Sequence, residues 1–532
     1  MRNIFIFAII IILTACSSGP ADGDYSFELY AHGDIHGRFF SNTYVDGGVN
    51  EGSLSGIYSF ISQRREAAGA DKVIVLDLGD HNHGDNSTHF YNYVYNYAPD
   101  EKHLYTRVAE FVGYDAIVAG NHDLEVGLPL FTRIRDELGI PYLAANVVSA
   151  KDGVPFFEPY TIIEREGIKV AIIGLTTPEV KKWLGEEKIE GLDVVPIYNA
   201  AEKYVAQIRE KEKPHLVFLA VHAGTGDGTP EDIEDPCRYM AASIKGIDGV
   251  FASHDHIPYC GKEWNGKDSI VVVNSGPYGK KLSGVKVSIT ISDGVVSSMR
   301  IDAVLHDIAG EGDSLFNSTF GEDYLRVKEF SNRKLGSIDD DIVPGDIFDA
   351  PCLYSNLLHY VQLQNSGADI SFVSPTKFRG SVPTGDICYN DILDLYPFEN
   401  LLYKVSLTGA QIKNYLELSY DNWKKKPVSF DCAGGLRYTV DFSKPLGSRV
   451  NVISFTDGRP FNEDATYTAA MASYRANGGG DLLLEATGLH LEQLEGIFIE
   501  KYGPVKEMLY DFFRGEKKTA ASLAAVSDWK IL

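Results

Sequence analysis

The chain has 532 residues, 44% of them hydrophobic and 23% charged. At ~100–200 residues per domain this length calls for two or three domains, and the composition excludes a disordered tail, a collagen-like repeat and a disulfide miniprotein. Lys and Arg number 49 against 74 Asp and Glu, a formal charge of −25, which leaves no basic footprint for duplex nucleic acid. A small anionic substrate stays open, because bound cations can invert the field locally.

At the start of the chain Arg2 precedes an apolar run over residues 4–13, about half the ~20 residues that span a bilayer. Residues 1–15 are therefore expected to be a secretory signal. Leu13-Thr14-Ala15-Cys16 resembles a bacterial lipobox, so Cys16 is the expected lipidation site. The expectation is a protein in the cell envelope, on its periplasmic or outer face, that meets the membrane only through lipid. The other cysteines, Cys237, Cys260, Cys352, Cys388 and Cys432, are odd in number and widely spaced. They form neither a disulfide framework nor a CxxC metal site.

Residues 26–305 alternate short apolar runs with amphipathic stretches. Strands are expected at 27–31, 73–78, 116–119, 169–175, 215–221, 250–252 and 270–274. A hairpin follows at 285–291 and 295–304, turning on Asp293-Gly294. Leu54, Ile57, Tyr58 and Ile61 recur at helical spacing, as do Leu104, Val108, Phe111 and Val112. Strands separated by helices predict a layered α/β domain. Residues 306–334 are charged and read as a partly helical linker. Residues 335–513 mix a helix-like stretch at 353–364 with strand runs at 370–373 and 436–440, an α+β pattern, and residues 515–532 read as peripheral.

The chemistry is written where the strands end. After 27–31 come Asp34 and His36; after 73–78, Asp80; after 116–119, Asn121 and His122; after 215–221, His222; after 250–252, His254 and His256. In open α/β sheets ligands gather at the carboxyl ends of strands. Imidazole and carboxylate suit zinc, manganese or iron, and the absence of cysteine argues against a closed structural zinc site. Asp80 is the natural carboxylate to bridge two cations ~3.5–4 Å apart.

These segments, Asp34-Ile35-His36, Gly79-Asp80, Gly120-Asn121-His122-Asp123, His222 and Ser253-His254-Asp255-His256, resemble the calcineurin-like metallophosphoesterase pattern, with Ser253 where Gly is usual. The resemblance implies an αββα sandwich holding two divalent cations. Asp34, His36, Asp80 and His256 would take one, and Asp80, Asn121, His222 and His254 the other. It makes His122 catalytic, oriented by Glu125 where Asp is more usual, and treats His81 and His83 as loop residues.

Four later segments resemble the 5′-nucleotidase C-terminal domain: Tyr389-Asn390-Asp391-Ile392 running on to Pro397-Phe398, residues 430–436, residues 441–450, and Tyr474-Arg475-Ala476-Asn477-Gly478-Gly479. By that resemblance Phe430 and Tyr474 sandwich a nucleobase, Arg379 contacts the substrate and Asp481 the ribose. The sequence departs from the pattern at Ser374, in having only lysines where another arginine is expected, and in one extra glycine before Asp481. The expected reaction is two-metal hydrolysis of a nucleoside 5′-monophosphate. The alternatives are a 2′,3′-cyclic nucleotide phosphodiesterase/3′-nucleotidase, a UDP-sugar hydrolase, or a non-catalytic nucleoside-binding surface lipoprotein.

Overall fold

The structure is a computed structural model that describes residues 20–532 apart from 186–187, 309, 344–347, 375–380, 424, 426–428, 516 and 525. Cys16 and Arg379 lie outside the described residues.

The first domain packs two six-stranded sheets face to face. Its strands are β1 (Gly23–His32), β2 (Val73–Asp77), β3 (Ala116–Val118), β4 (Tyr142–Leu143), β5 (Tyr160–Arg165), β6 (Ile168–Thr176), β7 (Leu216–His222), β8 (Gly249–Ala252), β9 (Tyr259–Trp264), β10 (Ser269–Asn274), β11 (Lys281–Ser292) and β12 (Val295–Asp307). One sheet runs β12-β11-β1-β2-β3-β4 and the other β9-β10-β8-β7-β6-β5. Phe27, Leu29, Ile74 and Leu76 of the first sheet meet Val170, Ile172, Phe218 and Phe251 of the second in a dry layer. Helices Leu54–Ala68 and Leu104–Val112 cover the first sheet, and Ile197–Lys211 and Cys237–Ser243 cover the second. The result is an αββα sandwich. β2 is buried at every residue, because helices and the opposing sheet cover both its faces. The hairpin turns where expected, with Asp293 and Gly294 both at positive φ (54° and 71°) as a type I′ turn requires.

Two expectations need correction. Residues 306–334 are not a free linker: helices Ser314–Thr319 and Gly321–Ser331 bury Phe316, Phe320 and Val327 against the first domain's core. These three apolar side chains dock the stretch, and buried Asp323 adds an ion pair to Arg107 at 2.6 Å. The C-terminal residues are not peripheral either. Asp528–Ile531 pairs in parallel with Leu436–Val440, and Trp529 is buried with its ring stacked on Tyr438.

The second domain centres on a five-stranded sheet in the order Cys432–Gly434, Ile370–Val373, Thr466–Ala472, Leu401–Thr408, Phe498–Pro504. Helices Leu353–Ser366 and Gly409–Asn422 pack against it. Contacts to the first domain run from Asn86 Nδ2 to Asn390 Oδ1 (2.7 Å) and from Phe330 to Tyr389 (ring centroids 4.4 Å).

Candidate metal centre and substrate cavity

The loops that leave β1, β2, β3, β7 and β8 converge at one edge of the sandwich. The backbone itself ties them together: Asp34 N–H donates to the Gly79 carbonyl and His36 N–H to the Asp80 carbonyl, each at 2.9 Å. Gly79 has φ +95°, and a Cβ there would lie 2.5 Å from the Gly120 nitrogen; one at Gly120 would lie 2.2 Å from Asp80 Oδ1. Only glycine lets these turns approach so closely. Asp123 accepts the N–H groups of Asp80, His81, Asn82 and Gly120 at 2.8–3.1 Å, which pins the Asp80 loop to the Asn121 loop.

Five of the seven expected ligands sit in the left-handed region: Asp34 (φ 51°), His36 (48°), Asp80 (59°), His254 (78°) and His256 (59°). Each such residue costs on the order of 1–3 kcal/mol, and clusters of them mark functional sites. The side chains collect in two groups, Asp34 with His36 and His256, and Asp80 with His222 and His254. Each group holds three of the four residues that the sequence resemblance assigns to one cation.

The donor atoms fit cations. His222 Nδ1–H donates to the Leu78 carbonyl (2.7 Å), which leaves Nε2 facing Asn121 Oδ1 at 3.0 Å and Asp80 Oδ2 at 3.3 Å, where a cation would displace the proton this nitrogen otherwise holds. His36 Nδ1–H donates to the His83 carbonyl (3.1 Å), and its Nε2 faces His256 Nε2 at 2.9 Å. Buried Asp34 Oδ1 has no hydrogen-bond partner among the described residues. Lone pairs that converge in this way need positive charge between them. The protonation equilibria carry the same message. Burial opposes charge on His222, yet Asp80 pushes its pKa up to about 10. Burial would raise the Asp80 carboxyl, but His222, His122 and His36 hold it well below the carboxylate range.

Asn121 and His122 open the short helix Asn121–Glu125. His122 Nδ1 meets Glu125 Oε2 at 2.5 Å, so the longer Glu side chain still reaches its imidazole. Burial disfavours charge on His122, but Asp80 and Glu125 raise its pKa to about 9. Ser253, where the pattern usually has glycine, donates its hydroxyl to Asp34 Oδ2, which also accepts the His254 N–H at 2.8 Å. His81 is a scaffold residue: it stacks on Tyr105 at 3.5 Å between Asp77 and Asp123.

A cavity of about 550 Å³ lies between the domains, with Asn121, His122, Glu125 and His254 on one side and Tyr474, Phe398 and Ser374 on the other. Tyr474 therefore lies where a substrate-binding ring was expected, its ring set against Gly479, where a Cβ would come within 2.6 Å. Phe430 does not. It is fully buried, packed against Phe348 and Tyr420 with ring centroids 5.4 and 5.1 Å away, and no base can reach its face without displacing them. Asp481 is also drawn elsewhere, into an ion pair with Lys182 of the first domain at 2.5 Å. One cavity residue carried no motif signal: Trp183, on the helix Val180–Trp183, lines the wall and stacks on His254 at 5.3 Å.

Comparison with known proteins fits this arrangement. Residues 29–258 match the calcineurin-like phosphoesterase family, and residues 340–486 match the 5′-nucleotidase C-terminal domain. A 5′-nucleotidase of Vibrio cholerae is 26% identical over 96% of this chain and 99% of its own. A 2′,3′-cyclic-nucleotide 2′-phosphodiesterase/3′-nucleotidase of Salmonella typhimurium is 24% identical over 68% of this chain and 67% of its own. A solved 5′-nucleotidase precursor of Thermus thermophilus superposes with a TM-score of 0.67 at 20% identity, over 96% of this chain and 99% of that one.

Proposed function

From a chain that is a hydrolase, a calcineurin-like phosphoesterase joined to a 5′-nucleotidase C-terminal domain, we propose hydrolysis of nucleoside 5′-monophosphates to nucleoside and phosphate. The observation that carries this reading is the shared cavity, with a phosphoesterase histidine on one wall and an aromatic ring of the second domain on the other.

Asp34, His36, Asp80 and His256 would hold one divalent cation, and Asp80, Asn121, His222 and His254 the other, with zinc or manganese favoured by this donor set. When bound, such a pair would supply an activated water and positive charge against the phosphate. The chain's own residues do the rest. His122, its Nδ1 held by Glu125, steadies the charge that builds on the phosphoryl oxygens. Tyr474 offers its face to the base, an interaction of ~1–3 kcal/mol that tolerates any base. Asp80 fixes the neighbouring catalytic turn by accepting the His122 N–H at 2.9 Å.

A second reading, cyclic-nucleotide phosphodiesterase with 3′-nucleotidase action, is favoured by the Salmonella relative's 24% identity over 68% of this chain. Phosphate release and product identity from AMP, 2′,3′-cyclic AMP and UDP-glucose, measured side by side with manganese, zinc and magnesium, separate the readings. Preferential cleavage of AMP supports the first; cleavage of the cyclic ester alone replaces it. We also propose lipidation at Cys16 and residence in the cell envelope. Cys16→Ser is expected to release the protein from membranes, and unchanged membrane retention contradicts that.

A further inference from the structure

His83 follows Asp80 by three positions, in a loop where the sequence gives it no chemistry. Its side chain is 6% exposed. The ring lies flat on that of His122, with centroids 4.3 Å apart and planes 8° from parallel. Among the described residues neither of its ring nitrogens has a hydrogen-bond partner, so hydrogen bonding does not account for an imidazole here. The loop around it is held independently. The His83 carbonyl accepts from His36, and Gly84 at φ +106° passes so close to His36 that a Cβ would lie 3.0 Å from that residue's own Cβ.

His122 has one strong tether, the bond from Nδ1 to Glu125. The ring can still rotate about its Cβ–Cγ bond as far as that hydrogen bond bends. Such a turn swings Nε2 off any phosphoryl group in the cavity. His36 meets the ring edge-on at 5.5 Å and 69°, which confines it at one border. A parallel plane against the ring face removes the rotation.

The geometry points to His83 as a positioning residue for phosphoester hydrolysis, its stacked ring fixing the plane of His122 so that Nε2 faces the phosphoryl group. This rests on the catalytic role proposed for His122. Misplacing a catalytic group by ~1 Å costs up to about 100-fold in rate, whereas substrate binding through the cations and Tyr474 is untouched.

The test compares the full-length metal-loaded enzyme with His83→Asn, which loses the stacked plane, and His83→Phe, which keeps a ring without nitrogens. With AMP as substrate, His83→Asn is expected to lower kcat by ~10–100-fold with KM within about 2-fold. His83→Phe is expected to hold kcat within about 3-fold, both variants keeping wild-type metal content and melting behaviour. Unchanged kcat in His83→Asn overturns the proposal, and so does a folded, metal-loaded His83→Phe as slow as His83→Asn. If the larger ring does not fold, the kcat and KM of His83→Asn decide alone. His122→Ala run in parallel keeps the two readings apart. Full activity there removes the catalytic role of His122, whereas inactive His122→Ala beside fully active His83→Asn removes only the positioning role.

Discussion

Glu125→Gln keeps the side-chain shape and removes the charge that His122 Nδ1–H meets at 2.5 Å. Hydrogen bonds to charged groups contribute ~1.5–3 kcal/mol, and at ~1.36 kcal/mol per pKa unit this carboxylate accounts for ~1–2 units of His122 basicity. Burial opposes the imidazolium, yet Asp80 and Glu125 raise its pKa to about 9. The folded value therefore lies above the ordinary ~6.5. The stabilisation from this proton is complete below ~6.5 and is lost as pH rises through about 9. The protonated ring is also the form that steadies phosphoryl charge, so the alkaline limb of kcat/KM follows the same proton. Glu125→Gln is expected to move that limb down by ~1–2 pH units and to lower kcat/KM at about pH 8 by ~2–10-fold through protonation alone. Phosphate release from AMP between about pH 6 and 10 measures both effects. An alkaline limb that stays in place, with kcat/KM within about 2-fold of wild type, refutes the reasoning.

Three further perturbations test other parts of the account. Lys506 is buried and pairs with Glu399, whose carboxyl burial would raise but which Lys506 and His89 hold far below the carboxylate range. Lys506→Met leaves that charge with only His89 beside it, at a cost of up to ~3–5 kcal/mol. A depressed carboxyl stabilises above its unfolded pKa, so the deficit is expected to be largest near neutral pH and to shrink below about pH 4; urea unfolding at both values measures it. Tyr474→Ala is expected to raise KM for AMP by ~5–150-fold, from ~1–3 kcal/mol of stacking, and to leave KM for p-nitrophenyl phosphate unchanged; equal KM values for AMP in both proteins contradict base stacking. Gly79→Ala would press a Cβ within 2.5 Å of the Gly120 nitrogen at a positive φ, and is expected to cost activity and metal content together, with wild-type metal content as the contrary result.

The layered first domain and the candidate ligand edge were legible in the sequence because five of its strand runs are followed within a few residues by an Asp, Asn or His. That pattern survives without tertiary knowledge. What was not legible depends on packing. Phe430 follows a motif yet is enclosed by Phe348 and Tyr420, neighbours distant or unmarked in the chain. Asp481 is claimed by Lys182, 299 positions away. Trp183 and His83 reach the site by stacking on His254 and His122, and ring planes leave no signature in spacing. Short strands such as Tyr142–Leu143 are set by pairing with Ala116–Val118, not by their own composition.

The central claim is that the strand-end side chains jointly grip two cations. Metal analysis of purified protein, loaded with manganese or zinc and freed of excess by gel filtration, tests it most directly. Two divalent ions per chain are expected in the wild type, with loss of at least one, and of activity, in His222→Ala. Retention of no divalent ion by the wild-type protein, or full occupancy and full activity in His222→Ala, contradicts it.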